Sequence, residues 1–305
     1  MRLDFSSVTC YHVGCRQNVP VHINMKWHVR ERGDKGFVFG TSVGGDFMKK
    51  IISLLLVAVM LCALLTACGS KKSFTVGFDA EFPPYGYADE NGDYVGFDLD
   101  LAVEVCARRG WDVKFQPIEW ASKDMELESG TIDCIWNGFT MSADRIDQYE
   151  WSDAYVDNSQ VFIVKSDSGI ATQADLAGKI VAVQAASSAL EALEAEESAA
   201  LLGSFKELIQ VPDYNTAFMY LESGAAEAIA MDIGVAKFQM AERGADKFAV
   251  LEEKLVSELY GVGFLKGNTE LRDQVQETLY EMVEDGKFDE IAKKWDLQDS
   301  VVLGK

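Results

Sequence analysis

The chain has 305 residues, 48% of them apolar, a globular composition with length enough for two modest domains, each with its own core. Its 28 basic and 49 acidic residues leave a net charge of −21. A field of that sign repels phosphate backbones and argues against nucleic acid as a partner.

Residues 1–47 come first and fit no element: they lack periodicity and hold all three histidines, His12, His22 and His28. Met48-Lys49-Lys50 then supplies a short basic flank, Ile51 to Leu65 an unbroken apolar run, and Leu65-Thr66-Ala67-Cys68 an ending with small residues before a cysteine. The run is too short for a membrane span and suits the apolar centre of an export signal over residues 48–68. The ending looks like a lipobox, so cleavage before Cys68 and a diacylglycerol thioether on its sulfur are expected. An export signal begins with its basic flank, so residues 1–47 are read as upstream sequence translated from a start codon set too early.

The part after Cys68 carries 20 basic and 45 acidic residues and no histidine. That excludes Ser-His-Asp and Cys-His nucleophiles and histidine-bound metals, and no metal or cofactor is expected. Cys106 falls on an apolar helix face and Cys134 inside an apolar strand; two buried thiols and one disulfide both remain open.

Gly69 to Ser73 is a short polar tether, and Phe74 to Phe78 reads as a strand ended by a loop at Pro83-Pro84. Asp98 is placed to cap a helix running to Arg109, with Gly110 after it. A strand at Val113 to Pro117, a helix at Ser122 to Ser129 stopped by Gly130, and a strand at Ile132 to Trp136 follow. A second series starts with a strand at Ile180 to Val183 and a helix opening at Ser188, where Ser188 and Glu191 have capping-box spacing. The Ala/Glu-rich run to Leu202 is helical, then come a strand at Leu208 to Val211, a helix to Ser223 and a strand at Glu227 to Ala230. A helix to Glu242, strands at Phe248 to Leu251 and Tyr260 to Leu265, a helix at Thr269 to Asp285 and a last one to Trp295 finish the chain. These final helices are expected to pack back on the first series.

Leu127-Glu128-Ser129-Gly130 and Leu221-Glu222-Ser223-Gly224 echo each other, and each leads into a strand that delivers Gly138 or Asp232 to its C-terminal end. Alternating strands and helices predict an α/β fold of two doubly wound lobes, whose ligands bind outside the carboxyl ends of the strands in a cleft between lobes.

Val95-Gly96-Phe97-Asp98-Leu99-Asp100-Leu101, Gly130-Thr131-Ile132-Asp133, Asn137-Gly138-Phe139-Thr140 with Asp144-Arg145, and Tyr260-Gly261-Val262-Gly263-Phe264 with Leu271-Arg272 resemble the polar amino-acid family (family 3) of ABC-transporter solute-binding proteins. The resemblance runs from Phe74 to Trp295 with its motifs in order. It implies a type II periplasmic-binding-protein fold with residues 74–160 and 261–305 in one lobe and 161–260 in the other. Hinges are implied near Val161-Phe162-Ile163 and Leu259-Tyr260-Gly261. It also implies the site: Arg145 with Thr140 and Ser188 amides for the α-carboxylate, the Gly138 carbonyl, Thr140 hydroxyl and Asp232 for the α-ammonium, Phe82 and Trp120 around the side chain, and Asp79 at its far polar end. A planar guanidinium suits a carboxylate bidentately. The sequence departs from the family at Ala186-Ser187-Ser188, where a Gly-Thr pair is common, and at Met231, where some members carry a polar residue.

The expected function is therefore a non-catalytic, lipid-anchored extracellular binder that hands glutamine, arginine, lysine, histidine or cystine to an ABC permease and its ATPase. A monomer is expected. The rivals on the same fold are a prephenate- or arogenate-type dehydratase and a ligand-sensing module of a receptor.

Overall fold

The structure, a computed structural model, describes residues 71–305. The segment 1–47, the leader 48–68 with Cys68, and residues 69–70 of the tether lie outside the described residues.

The first run of elements is β1 (Ser73–Phe78), β2 (Glu81–Phe82), β3 (Gly86–Ala88), β4 (Tyr94–Val95), α1 (Phe97–Arg109), β5 (Asp112–Pro117), α2 (Lys123–Glu128), β6 (Cys134–Ile135) and β7 (Tyr149–Trp151). The second is β8 (Val156–Lys165), β9 (Ile180–Gln184), α3 (Ser188–Glu194), α4 (Ala199–Ser204), β10 (Glu207–Val211), α5 (Tyr214–Ser223), β11 (Ala228–Asp232), α6 (Ile233–Arg243), β12 (Phe248–Val250) and β13 (Val256–Tyr260). The chain closes with β14 (Gly263–Leu265), α7 (Thr269–Glu284) and α8 (Lys287–Lys294).

One sheet has the strand order β5-β1-β6-β14-β7, the other β10-β9-β11-β8-β12 with β13 also on β8. In each, three neighbouring strands run parallel, and the rest are antiparallel. The chain passes from the first sheet to the second between β7 and β8 and returns between β13 and β14. The central parallel strand β11 is buried along its whole length, whereas the edge strand β5 alternates between exposed and half-buried positions.

Helix α1 buries Asp98, Leu101, Ala102, Val105 and Cys106, a stripe at three- and four-residue spacing. Gly110 ends it in the left-handed conformation, φ 67°, and donates back to the Ala107 carbonyl. The last helices do pack on this first lobe: Arg109 donates to Thr278 at 2.5 Å and Lys294 pairs with Asp100 at 2.6 Å.

Several local expectations are corrected. Gly96, not Asp98, stands at the N-cap of α1, and Asp98 turns inward. The third strand shrinks to Cys134–Ile135, and the segment 260–265 is split by the crossing at Gly261-Val262. The long Ala/Glu helix is broken after Glu194, where Ala195 is extended. Cys106 and Cys134 are free, buried thiols rather than a disulfide, and burial pushes the Cys106 thiol up to about 12.

Candidate functional site

The candidate residues sit where a parallel sheet leaves backbone groups and loops open, beyond the carboxyl ends of its strands. Asp79 follows β1, Trp120 follows β5, Gly138 and Thr140 follow β6, Ser188 follows β9 and Asp232 ends β11. The residues from the first sheet meet those from the second directly.

Asp79 is buried; its carboxylate accepts from the Glu81 amide at 2.9 Å and from Gln184 Nε2, across the cleft, at 2.7 Å. Burial pushes its carboxyl up to about 6. Phe82 lies among Tyr85 and Tyr214, with ring centroids 5.8 and 5.9 Å away. Trp120 packs edge-on to Phe139 at 5.6 Å, and the Lys123 ammonium lies 5.4 Å from its ring. Phe82 and Trp120 thus belong to two separate apolar clusters.

Gly138 takes φ 55°, and a Cβ there would lie 2.7 Å from Phe82 Cε1, so only glycine lets the strand end pass this close to the ring. Its amide donates to Asp98 Oδ2 at 2.6 Å, and the same oxygen accepts from Tyr155 at 2.8 Å. Asp98 is therefore an internal anchor for the loop that carries the site, and burial pushes its carboxyl up to about 7.

Arg145, 3% exposed, is held by lobe-two groups. Its Nε donates to Glu191 Oε1 at 2.8 Å, its Nη2 lies 2.5 Å from the same oxygen, and Nη2 also donates to the Ala186 carbonyl at 3.2 Å. Its guanidinium stands 5.2 Å from the centre of the Phe139 ring. The expected capping box is displaced: Ser187 caps α3 by accepting from the Leu190 amide, which leaves Glu191 for Arg145 and Ser142. Ala186, just before the cap, sits at φ 55°, in the left-handed region that favours glycine. Lys123, also buried, reaches the Ala186 carbonyl at 3.5 Å; burial and then Arg145 hold its ammonium below the usual range.

At the other end, Asp232 Oδ1 accepts from Tyr260 at 2.5 Å, Gln160 at 2.7 Å and Asn158 at 2.8 Å, and Oδ2 from Tyr214 at 3.1 Å. The Thr140 hydroxyl donates to Glu258 at 2.9 Å and lies 3.1 Å from the Ser188 hydroxyl. Glu258, Asn158 and Gln160 escaped the sequence reading. They come from the paired strands β8 and β13, where Asn158 lies opposite Glu258 and Gln160 opposite Val256. The available signal was the polar stretch Asp157-Asn158-Ser159-Gln160 running without a break into the apolar Val161-Phe162-Ile163. Burial, and then Asp232, push the Glu258 carboxyl up; burial does the same to Asp232.

A cavity of about 300 Å³ lies beside these groups; of the expected ligand contacts Thr140 and Ser188 line it, together with Ser142, Glu191, Val256 and Glu258, while Asp79, Phe82, Trp120, Gly138, Arg145 and Asp232 do not. A larger hollow of about 450 Å³ lies at Lys165, Glu222 and Lys247 on the far side of the second sheet, touching none of the candidate residues. Among the described residues no cluster of acidic, cysteine or histidine side chains could hold a metal.

The description "Bacterial extracellular solute-binding proteins, family 3" matches residues 74–298. The arginine-binding extracellular protein ArtP of Bacillus subtilis is 29% identical over 81% of this chain and 98% of its own length. The glutamine-binding protein GlnH of the same organism is 27% identical over 83% and 99%. An ABC uptake transporter substrate-binding protein from Streptococcus pneumoniae, solved with bound histidine, superposes with a TM-score of 0.73 at 35% identity, covering 75% of this chain and 94% of that one.

Proposed function

Because the chain belongs to the bacterial extracellular solute-binding proteins of family 3, we propose that it captures a polar amino acid outside the membrane and delivers it to an ABC permease and its ATPase. The observation that carries this is the pair of charged groups on the cavity's walls: Glu191, which Arg145 holds, and Glu258, which the Asn158 and Gln160 amides tie to Asp232. In this reading a zwitterion that enters reaches the guanidinium behind Glu191 with its carboxylate and the carboxylates at Glu258 and Asp232 with its ammonium. Its relatives are named for binding, and the protein is a binder rather than an enzyme.

In this reading Arg145, Thr140 and Ser188 take the α-carboxylate, and Asp232 with the Gly138 carbonyl and Thr140 hydroxyl takes the α-ammonium. Phe82 and Trp120 flank the side chain, and Asp79, already bonded to Gln184, receives its far polar end. The acids around the cleft (Asp79, Glu191, Asp232, Glu258) outnumber the bases (Lys123, Arg145), which favours arginine or lysine over glutamine, histidine or cystine. Residues 74–160 with 261–305 form one lobe and 161–260 the other, hinged on β8 and β13. A lipid on Cys68 holds the monomer on the extracellular face of the cell membrane, each buried methylene contributing ~0.8 kcal/mol.

A thermal-shift screen of the common amino acids and cystine tests the reading. A ligand at about 100 times its Kd adds roughly 2.7 kcal/mol, which raises the Tm of a protein this size by ~2–4 °C. A screen in which no polar amino acid shifts the Tm contradicts it.

A further inference from the structure

Asn158 Nδ2 donates both to Asp232 Oδ1 at 2.8 Å and to Glu258 Oε1 at 2.7 Å, and Gln160 Nε2 donates to the same two oxygens at 2.7 Å each. Two carboxylates are thus tied side by side by two amide groups. The carbonyl oxygens of those amides, Asn158 Oδ1 and Gln160 Oε1, are buried with no donor among the described residues, and their side chains are 2% and 0% exposed. The cluster has a surplus of acceptors, and a buried acceptor without a donor costs stability. A group with several N–H donors and a positive charge supplies what is missing, and Glu258 also lines the cavity with Thr140 and Ser188.

We propose that Glu258 is a specificity-determining residue that contacts the captured molecule: with Asp232, Asn158 and Gln160 it forms a two-carboxylate subsite for a primary ammonium, and filling that subsite releases a proton. This rests on the amino-acid-binding reading above. Adjacent buried carboxylates of like charge do not both ionise, so the empty pair shares one proton. The incoming ammonium replaces that proton, which leaves to solvent, and both carboxylates then face one cation. The other titratable groups around the pair are Tyr85, Tyr214 and Tyr260, all pushed well above the usual phenol range by burial and so protonated throughout. Across the cavity stands Glu191, paired with Arg145.

Calorimetric titration of the wild type and Glu258→Gln with L-arginine, L-lysine, L-glutamine, L-histidine and L-cystine, in buffers of different ionisation enthalpy, reads the proton directly. The tightest binder should release more protons from the wild type than from Glu258→Gln, a difference in which any titration of the amino acid itself cancels. Its wild-type affinity should fall by up to about tenfold per pH unit below neutrality, with a flatter profile in the variant. The variant should bind it roughly 10- to 100-fold more weakly, as for a lost charged hydrogen bond. Equal proton release and equal pH profiles with an amino acid bound overturn the role of Glu258 and leave the binding reading standing. If Glu258→Gln does not fold, wild-type binding that shows no proton release, counted beyond that of the amino acid itself, overturns it alone. Failure of all five to bind the wild type overturns both.

Discussion

The two ends of the cleft are finished in opposite ways. At the guanidinium end Arg145 is already engaged through Nε and Nη2, by Glu191 from the facing lobe and by the Ala186 carbonyl. At the carboxylate end, Asp232 and Glu258 lie together among amide oxygens that lack donors. In the proposed reading an amino acid competes with the Glu191 carboxylate at one end, whereas at the other it supplies a missing charge.

The largest expected effect breaks the first half of that contrast. Arg145→Ala removes the cation that both Glu191 and a ligand carboxylate need, and should cost ~2–5 kcal/mol of binding measured by calorimetry. Folding should be kept, since Glu191 is part-exposed at 31% and can hydrate.

Next comes the pH dependence of stability carried by two buried carboxyls outside the pair of Asp232 and Glu258. Asp98 and Asp79 are pushed up to about 7 and about 6 by burial, above an unfolded value near 4. The folded state holds their protons more tightly, so this contribution to stability is full below about pH 4 and is lost as the pH rises through about 7. The unfolding free energy from denaturant titrations should drop by roughly 1–3 kcal/mol between about pH 5 and about pH 8. Asp98→Asn, which keeps an acceptor for Gly138 and Tyr155, should remove part of that slope; an unchanged slope means Asp98 does not contribute. Ligand affinity should move the opposite way with pH, and the two trends together separate folding from capture.

Gly138→Ala tests the backbone between the ends. Its Cβ would press on Phe82 at 2.7 Å and on Tyr260 at 3.0 Å, at φ 55°, for a loss of ~1–2 kcal/mol in unfolding experiments. The smallest effect sharpens the competition: Glu191→Gln removes the rival carboxylate and should tighten amino-acid binding by about 1 kcal/mol. Weaker binding in that variant contradicts the competition.

The order of strands and helices was legible because it depends on local patterns: apolar runs, stops at Gly110 and Gly130, and the helix–glycine–strand echo that leads to Gly138 and Asp232. Asp79, Thr140, Arg145, Ser188 and Asp232 became candidates through a resemblance to a family, not through any local pattern. What was missed depends on contacts between distant residues. Asp98 looks like a helix cap until Gly138 and Tyr155 arrive to donate to it. Glu191 looks like half of a capping box until Arg145 takes it. Asn158 and Glu258 look like solvent-facing polar residues, because only the register of β8 on β13 places them opposite each other. Hydrophobic periodicity carries no information about such pairings.

The most direct test is a calorimetric titration of the best amino acid from the screen into wild type, Arg145→Ala and Asp232→Asn. The cleft described here predicts saturable one-to-one binding to the wild type, strongly weakened in both variants, with the amino acid recovered unchanged. Binding by both variants at wild-type strength, or conversion of the amino acid into another compound, would contradict it.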